Sequence, residues 1–456
     1  MKPAWVVSIS LLVLGCTARI GAQTIRVSCP FFFQDTSQRI ACIEAIFDQD
    51  NYHFTLASVP PANGFGPGIV LTHTFRGTIG GGDEQVDLSA NGAVTTNGSW
   101  STGGDMTWSL PFRSSDTSTS ESQLASATVK NWHGTALHLG ATHRAAQAIY
   151  FYGQGAGSPA TQYHFAEDDT WGGVDLRLPL SRQLVLVGGT GAEATTLPAE
   201  TDPSAVASNF SAAQLPGLTE QPTYIHSQIG IESRIYTRAS QQFKPLPVGN
   251  PRLQPLWYFD LENNAVMHWY HPGDGSALAF RQFRFDGDEL VNLRAWLRNS
   301  FVPAKHPLVY HLLCHGSNKQ TDECNLALFR MRSELLLSGA SGANQVPFYL
   351  EPTLGGSDIE NNTTLRGWDN YRFRDRDAAM VQFDSDFLVW DPFGVYVFYD
   401  SGTVGPDAGG LALSRWRQDA GVGVSARVMG SIVAQAYAAW GRGNGPQWGY
   451  NFAKVF

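Results

Sequence analysis

The residues best suited to a specific charged contact are one arginine and one aspartate, each in distinctive company. Arg366 lies in Leu365-Arg366-Gly367-Trp368, between Pro352-Thr353-Leu354-Gly355-Gly356 and Tyr371-Arg372-Phe373-Arg374-Asp375. Asp400 lies in Phe398-Tyr399-Asp400-Ser401-Gly402. On a strand, Phe398, Asp400 and Gly402 share one face, because side chains alternate with period two. Val395, Val397 and Tyr399 then form the apolar opposite face. A guanidinium offers a planar fork of donors that matches a carboxylate. The chemistry on offer is an Arg366–Asp400 lock between a glycine-rich loop and a strand. Gly367 and Gly402 remove side chains where loop backbone would meet the wall.

Catalytic patterns do not accompany this pair. There is no Gly-x-Ser-x-Gly, no His-Glu-x-x-His and no phosphate loop. His133, His138 and His143 are five apart, a spacing that alternates faces on a strand and prevents convergence. His306, His311 and His315 flank an expected hairpin near Cys314 and make a weak metal pattern. Asp384 and Asp386 share a face, as paired acids in an enzyme would, but a charged pore lining is the preferred reading. No enzymatic activity, cofactor or metal is expected.

The elements that must position the pair are strands. From about His53 onward, short alternating segments separated by Gly, Asn, Asp and Ser turns dominate. In 225–235, four isoleucines and two serines share one face, while His226, Gln228, Glu232 and Arg234 occupy the other. Val174, Leu176 and Leu178 alternate with Asp175 and Arg177; Phe329, Met331, Leu335 and Leu337 alternate with Arg330, Arg332 and Glu334. Val381, Phe383 and Phe387 alternate with Gln382, Asp384 and Asp386, and Val422, Val424, Ala426 and Val428 with Gly421, Gly423, Ser425 and Arg427. A soluble antiparallel sheet would show such alternation. Strands of about ten residues, the length a tilted membrane strand needs, favour a transmembrane barrel with a wet lumen. Aromatics near expected strand ends, Trp257-Tyr258-Phe259, Trp269-Tyr270, Trp390, Trp440 and Trp448, read as interfacial girdles.

The termini and composition agree with export. Met1-Lys2 and the apolar run 6–14 read as a signal peptide, residues 1–22, with cleavage after Ile20-Gly21-Ala22. Cys16 leaves a second reading open, a lipoprotein cysteine. Residues 23–51 form a short N-terminal segment that carries a helical pattern over 39–47, and 52–456 form the barrel. Removal of 1–22 leaves 29 basic against 40 acidic residues, a net charge of −11, which excludes nucleic acid as a partner. Cys29, Cys42, Cys314 and Cys324 remain as candidate disulfides; their short spacings favour Cys29–Cys42 and Cys314–Cys324, although four cysteines allow three connectivities. Gly188 to Gln221, rich in Ala, Thr, Ser and Pro, reads as a long loop, and Arg238 to Pro255 as a connection. The last strand places Trp448, Tyr450, Phe452, Lys454 and Phe456 on one face.

These residues resemble the bacterial surface antigen family, the superfamily of BamA, TamA and two-partner secretion pores. The resemblance rests on Val346-Pro347-Phe348, Leu354-Gly355-Gly356, Leu365 to Trp368, Tyr371 to Asp375, Phe398/Asp400/Gly402, Gly421/Gly423 and Phe456. It is clear over 345–456 and extends back to about 225. It implies an all-β fold: a transmembrane antiparallel barrel of sixteen strands, a loop folded into the lumen, and an arginine at its tip paired with the strand acid. It also implies a bacterial outer-membrane location and insertion or translocation of polypeptides, with a passive pore or structural barrel as the alternative. The implied partners are outer-membrane lipid, unfolded outer-membrane or secreted polypeptides, and the barrel assembly machinery for the chain's own insertion. Leu365 stands where relatives carry Val, and Trp368 where they carry Phe or Tyr. Asp384 and Asp386 lie on a strand that usually carries Glu, and Asp358 to Thr364 is a small insertion. Residues 23–51 are too few for the periplasmic POTRA modules of transport-competent relatives, so a barrel without them is expected.

Overall fold

The computed structural model describes residues 52–60, 63–79, 82–111, 134–181, 183–236, 258–292, 327–390, 393–428, 431–441 and 445–452. The expected signal peptide, the segment 23–51, all four candidate disulfide cysteines, His133, the 306–315 histidines, Arg238 to Pro255, Lys454 and Phe456 lie outside them.

The architecture is all-β. The strands are β1 (Tyr52–Ala57), β2 (Gly66–Ile79), β3 (Gly82–Val94), β4 (Trp100–Pro111), β5 (Gly134–Phe151), β6 (Tyr163–Pro179), β7 (Leu184–Thr196), β8 (Thr223–Tyr236) and β9 (Tyr258–Pro272). They continue with β10 (Phe280–Asn292), β11 (Ala327–Gly339), β12 (Thr353–Leu354), β13 (Phe373–Arg374), β14 (Asp377–Trp390), β15 (Phe393–Gly405), β16 (Arg417–Val428), β17 (Ser431–Gly441) and β18 (Gln447–Phe452). Sixteen of these form one antiparallel meander, each strand paired with its neighbours in chain order; β12 and β13 form a separate ribbon. The connections after β1, β3, β5, β7, β9, β11, β15 and β17 therefore gather at one rim, the loop rim, while Tyr52 and Phe452 lie at the opposite rim.

The sheet is curled into a barrel. Ile359 accepts a hydrogen bond from Arg144 of β5, while Asp369, ten residues on, accepts one from Gln447 of β18. In a flat sheet those strands would be about 50 Å apart, whereas ten residues span at most about 35 Å. Only a strongly curled sheet brings both walls to one loop.

The two faces have opposite polarity, arranged against the order of a soluble sheet. Ile225, Ile229, Ile231 and Ile235 are 46–51% exposed, whereas Glu232 beside them is 6% exposed. Val397, Tyr399, Val422, Val424, Trp440, Trp448 and Tyr450 are likewise exposed, while Asp386, Asp400, Asp419 and Gln382 are buried. An apolar surface around a charged interior suits lipid outside and water inside.

Two readings change. Residues 188–196 belong to β7 rather than to a loop. Their small side chains answer to strand crowding: a Cβ on Gly191 would lie 2.6 Å from the Gly172 carbonyl oxygen. Tyr270 belongs to no outer girdle. It stacks inside the wall on His226 (4.5 Å) and Phe280 (4.3 Å), because neighbours on a strand face opposite ways. The short helix Val206–Asn209, inside the β7–β8 connection, has no periodic signature in the sequence.

Candidate functional site

The candidate site is the long β11–β14 connection, residues 340–376, folded into the lumen. Its first half is anchored by apolar packing. Pro347 starts a single 3-10 turn, Phe348–Leu350, and Phe348 is wholly buried among Ile149, Phe151, Phe165, Val206 and Leu215. The chain then runs into β12, turns at Gly355 and Gly356, and returns through β13, which pairs Thr353 with Arg374 and Leu354 with Phe373. Both glycines have positive φ (117° and 55°), where a side chain is strained. A Cβ on Gly355 would also lie 2.5 Å from the Asp369 carbonyl oxygen.

Within this frame the Thr364 hydroxyl accepts the Gly355 N–H, and the Leu365 carbonyl accepts the Gly356 N–H. These bonds set Leu365 and Trp368 into a buried cluster with Leu354, Phe373, Met380 and Val404. Trp368 packs edge-on against Phe373 at 5.0 Å. Arg366 then projects the other way, onto the wall.

Arg366 meets Asp400 through two parallel bonds, Nε to Oδ2 at 2.8 Å and Nη2 to Oδ1 at 2.5 Å. Its backbone N–H also donates to Asp400 Oδ2, at 3.1 Å. Nη1 donates to Asp384 Oδ1 at 2.7 Å, and the guanidinium lies 3.6 Å above the Phe398 ring. Arg366 is 7% and Asp400 0% exposed. Burial opposes the arginine's charge, but its two acids outweigh that and hold its pKa above the ordinary value. Asp384 is therefore a partner of Arg366 rather than a free lining residue, and Asp386 on the same face is buried.

The glycines allow close approach. A Cβ on Gly367 would lie 2.5 Å from Asp419 Cβ and 2.6 Å from the Gly441 nitrogen; one on Gly402 would lie 2.9 Å from the Ala379 carbonyl oxygen. Gly421 and Gly423 of β16 have a related role. They are the register partners of Phe398 and Tyr396, whose rings lean across them and are stacked at 5.8 Å. The aromatic floor beneath Arg366 depends on those missing side chains.

The segment Asp358 to Thr364 forms the far end of the clamp. Asn362 donates to Asp358 through its backbone N–H (2.7 Å) and side chain (2.9 Å), the Ile359 carbonyl accepts from Arg144 (2.9 Å), and Glu360 pairs with Arg284 of β10 at 3.0 Å. Nearer the loop rim, Arg372 donates to both the hydroxyl and the carbonyl of Ser158, and Arg374 donates to the Phe348 carbonyl. Glu351 is 3% exposed; burial pushes its pKa up to about 7, against the hydrogen bonds from Gln154.

Trp448 and Tyr450 are 79% and 64% exposed on the outer face of β18, while Gln447 points inward to Asp369. Phe452 ends the described strand. His138 faces the lumen between Asp105 and Asp175, while His143 bonds Thr170, so the two do not converge. Among the described residues there is no cluster able to hold a metal ion. Sequence reasoning missed the Asp384 arm and the anchors on Arg144, Arg284 and Ser158. Only the inward-facing position of Asp384 was a usable signal.

No protein-family model matches the chain, and no curated protein matches its sequence. Among solved structures, it is similar to BamA from Haemophilus ducreyi lacking POTRA domains 1–3, with 12% identity, TM-score 0.46, and coverage of 91% of this chain and 77% of that one. It is also similar to CdiB from Acinetobacter baumannii (10% identity, TM-score 0.46, 88% and 58% covered). A third similar structure is CdiB from Escherichia coli (9% identity, TM-score 0.45, 88% and 61% covered). The chain thus spans about three fifths of each CdiB structure.

Proposed function

We propose that this chain is a bacterial outer-membrane barrel that inserts or translocates polypeptides. One observation carries the reading: the lumen is crossed by a loop held at Arg366 on β15 and, through the Ile359 carbonyl, at Arg144 of β5, eight strands away on the opposite wall. A polypeptide threading the lumen would have to break the buried Arg366–Asp400 pair. A path along the wall, between the edge strands β1 and β18, leaves that pair intact. The motif resemblance implies the same route, with the clamp steadying the barrel while the seam opens toward lipid. The partners are then outer-membrane lipid, unfolded outer-membrane or secreted polypeptides, and the assembly machinery that folds the barrel itself.

The test is reconstitution in liposomes with an unfolded barrel client. Faster client folding in the presence of the protein supports the reading, and an unchanged rate refutes it. The alternative, a passive pore or structural barrel, is favoured by the charged recess of about 400 Å³ lined by Arg284, Asp288 and Arg330. Steady single-channel conductance without client acceleration would select it. Fractionation to the outer membrane and heat-modifiable gel mobility test the barrel beneath both readings.

A further inference from the structure

A cavity of about 970 Å³ opens at the loop rim above β15–β17. It exists because the wall is lower there. The β14–β15 ladder runs up to Asp377↔Gly405, whereas β15–β16 pairing stops at Gly402↔Arg417 and β16–β17 pairing at Asp419↔Gly441. Its lining comes from both sides of the wall. On the outer face Tyr399, Ala420 and Trp440 are register partners across three strands. Two large rings, 39% and 51% exposed, therefore stand on either side of one methyl group, forming a slot toward lipid.

On the inner side, Trp368 is 7% exposed and lines the same cavity, and its indole Nε1–H has no hydrogen-bond partner among the described residues. A buried indole N–H normally has one. The carboxyl group of Asp419, 3% exposed, lies beside it on the floor. At the mouth, Arg417 is fixed by two bonds to the Ala156 carbonyl, and the exposed Arg415 forms no ion pair among the described residues.

This set of groups selects among ligands. A bare phosphate would leave the apolar Tyr399–Ala420–Trp440 slot empty. A neutral sugar would leave the arginines unused. A sugar hydroxyl both donates and accepts, so it suits an indole N–H beside a carboxyl group, and a phosphate on the same sugar suits arginine. We propose that the notch binds the headgroup of a phosphorylated glycolipid of the surrounding membrane. Arg415 and Arg417 take the phosphate, Trp368 and Asp419 take sugar hydroxyls, and the Tyr399–Ala420–Trp440 slot takes the start of an acyl chain. The inference rests on the reading of the chain as a lipid-embedded barrel.

The full chain, folded into phosphatidylcholine nanodiscs, is titrated with an acylated glucosamine-disaccharide phosphate, and bound lipid is counted by native mass spectrometry. One tightly retained glycolipid per protein is expected, with Arg415→Glu and Trp440→Ala each weakening binding about tenfold or more. Equal binding of phosphatidylglycerol or of the dephosphorylated glycolipid overturns the proposal, as does unchanged binding by Arg415→Glu. Displacement by soluble glucosamine phosphate at equal affinity overturns the lipid source. Heat-modifiable mobility is measured on the same samples: its absence in the wild-type chain sinks the barrel reading, whereas its presence without glycolipid binding sinks the notch alone.

Discussion

Removing the Arg366 side chain is the most direct perturbation of the clamp. The change deletes two bonds to Asp400, one to Asp384 and the contact with the Phe398 ring. It leaves Asp400 wholly buried, directly across the β15–β16 register from the equally enclosed Asp419. Breaking a buried pair from one side typically costs about 3–5 kcal/mol, and Arg366→Ala is expected in that range. Asp400→Ala leaves the arginine its Asp384 partner, which is 21% exposed on its side chain; its cost should be nearer about 1.5–3 kcal/mol. The double variant should be no worse than Arg366→Ala, giving a coupling energy of at least about 1.5–3 kcal/mol. Glu360→Gln is the internal control. The Glu360 side chain is 57% exposed, so its pair with Arg284 should contribute at most about 1 kcal/mol. The assay is urea unfolding in lipid bilayers, followed by gel mobility and tryptophan fluorescence and compared at constant m-value. Additivity of the two single changes within about 0.5 kcal/mol, or a cost for Arg366→Ala no larger than for Glu360→Gln, would refute the clamp as a coupled unit.

Three further outcomes are expected. Gly367→Ala drives a methyl group into Asp419 Cβ and the Gly441 backbone, neither of which can swing away; a loss of about 1–3 kcal/mol in the same urea assay is expected, and a neutral result would mean that the loop lies farther from the wall. Glu351, with its pKa raised from the ordinary carboxylate range to about 7 by burial, binds its proton more tightly folded than unfolded. Its contribution is complete below the unfolded pKa and is lost as pH rises through the folded value, so the urea midpoint should fall from about pH 4.5 to 7; Glu351→Gln should flatten that slope, and an unchanged slope would assign it elsewhere. Ile229→Arg places a charge on a side chain 50% exposed on the outer face; a cost of up to about 2–4 kcal/mol in bilayers is expected, and full tolerance would contradict a lipid-facing wall.

The sequence by itself determined the class of fold, the polarity of its two faces and the residue at the loop tip. Strand alternation is local: with period two, Ile225 to Ile235 and Val422 to Val428 declare their outward side chains whatever lies around them. Arg366 and Asp400 were legible for a similar reason, since each is the charged residue of a short glycine-bearing motif. The same local reading misplaced residues 188–196 and Tyr270. Small residues mean either a loop or crowded strands, and an aromatic pair at a strand end has only one member facing out.

Tertiary structure alone decided the partners. Asp384 becomes the second arm of the clamp because β14 lies beside β15 in register, and Arg144 and Arg284 reach the loop because the sheet curls. The notch under Trp368 arises because two neighbouring ladders end at different heights. Such juxtapositions depend on strand order, register and curvature, which no stretch of sequence encodes on its own. A motif can therefore show that an arginine seeks an acid, while the curled wall determines how many acids it finds.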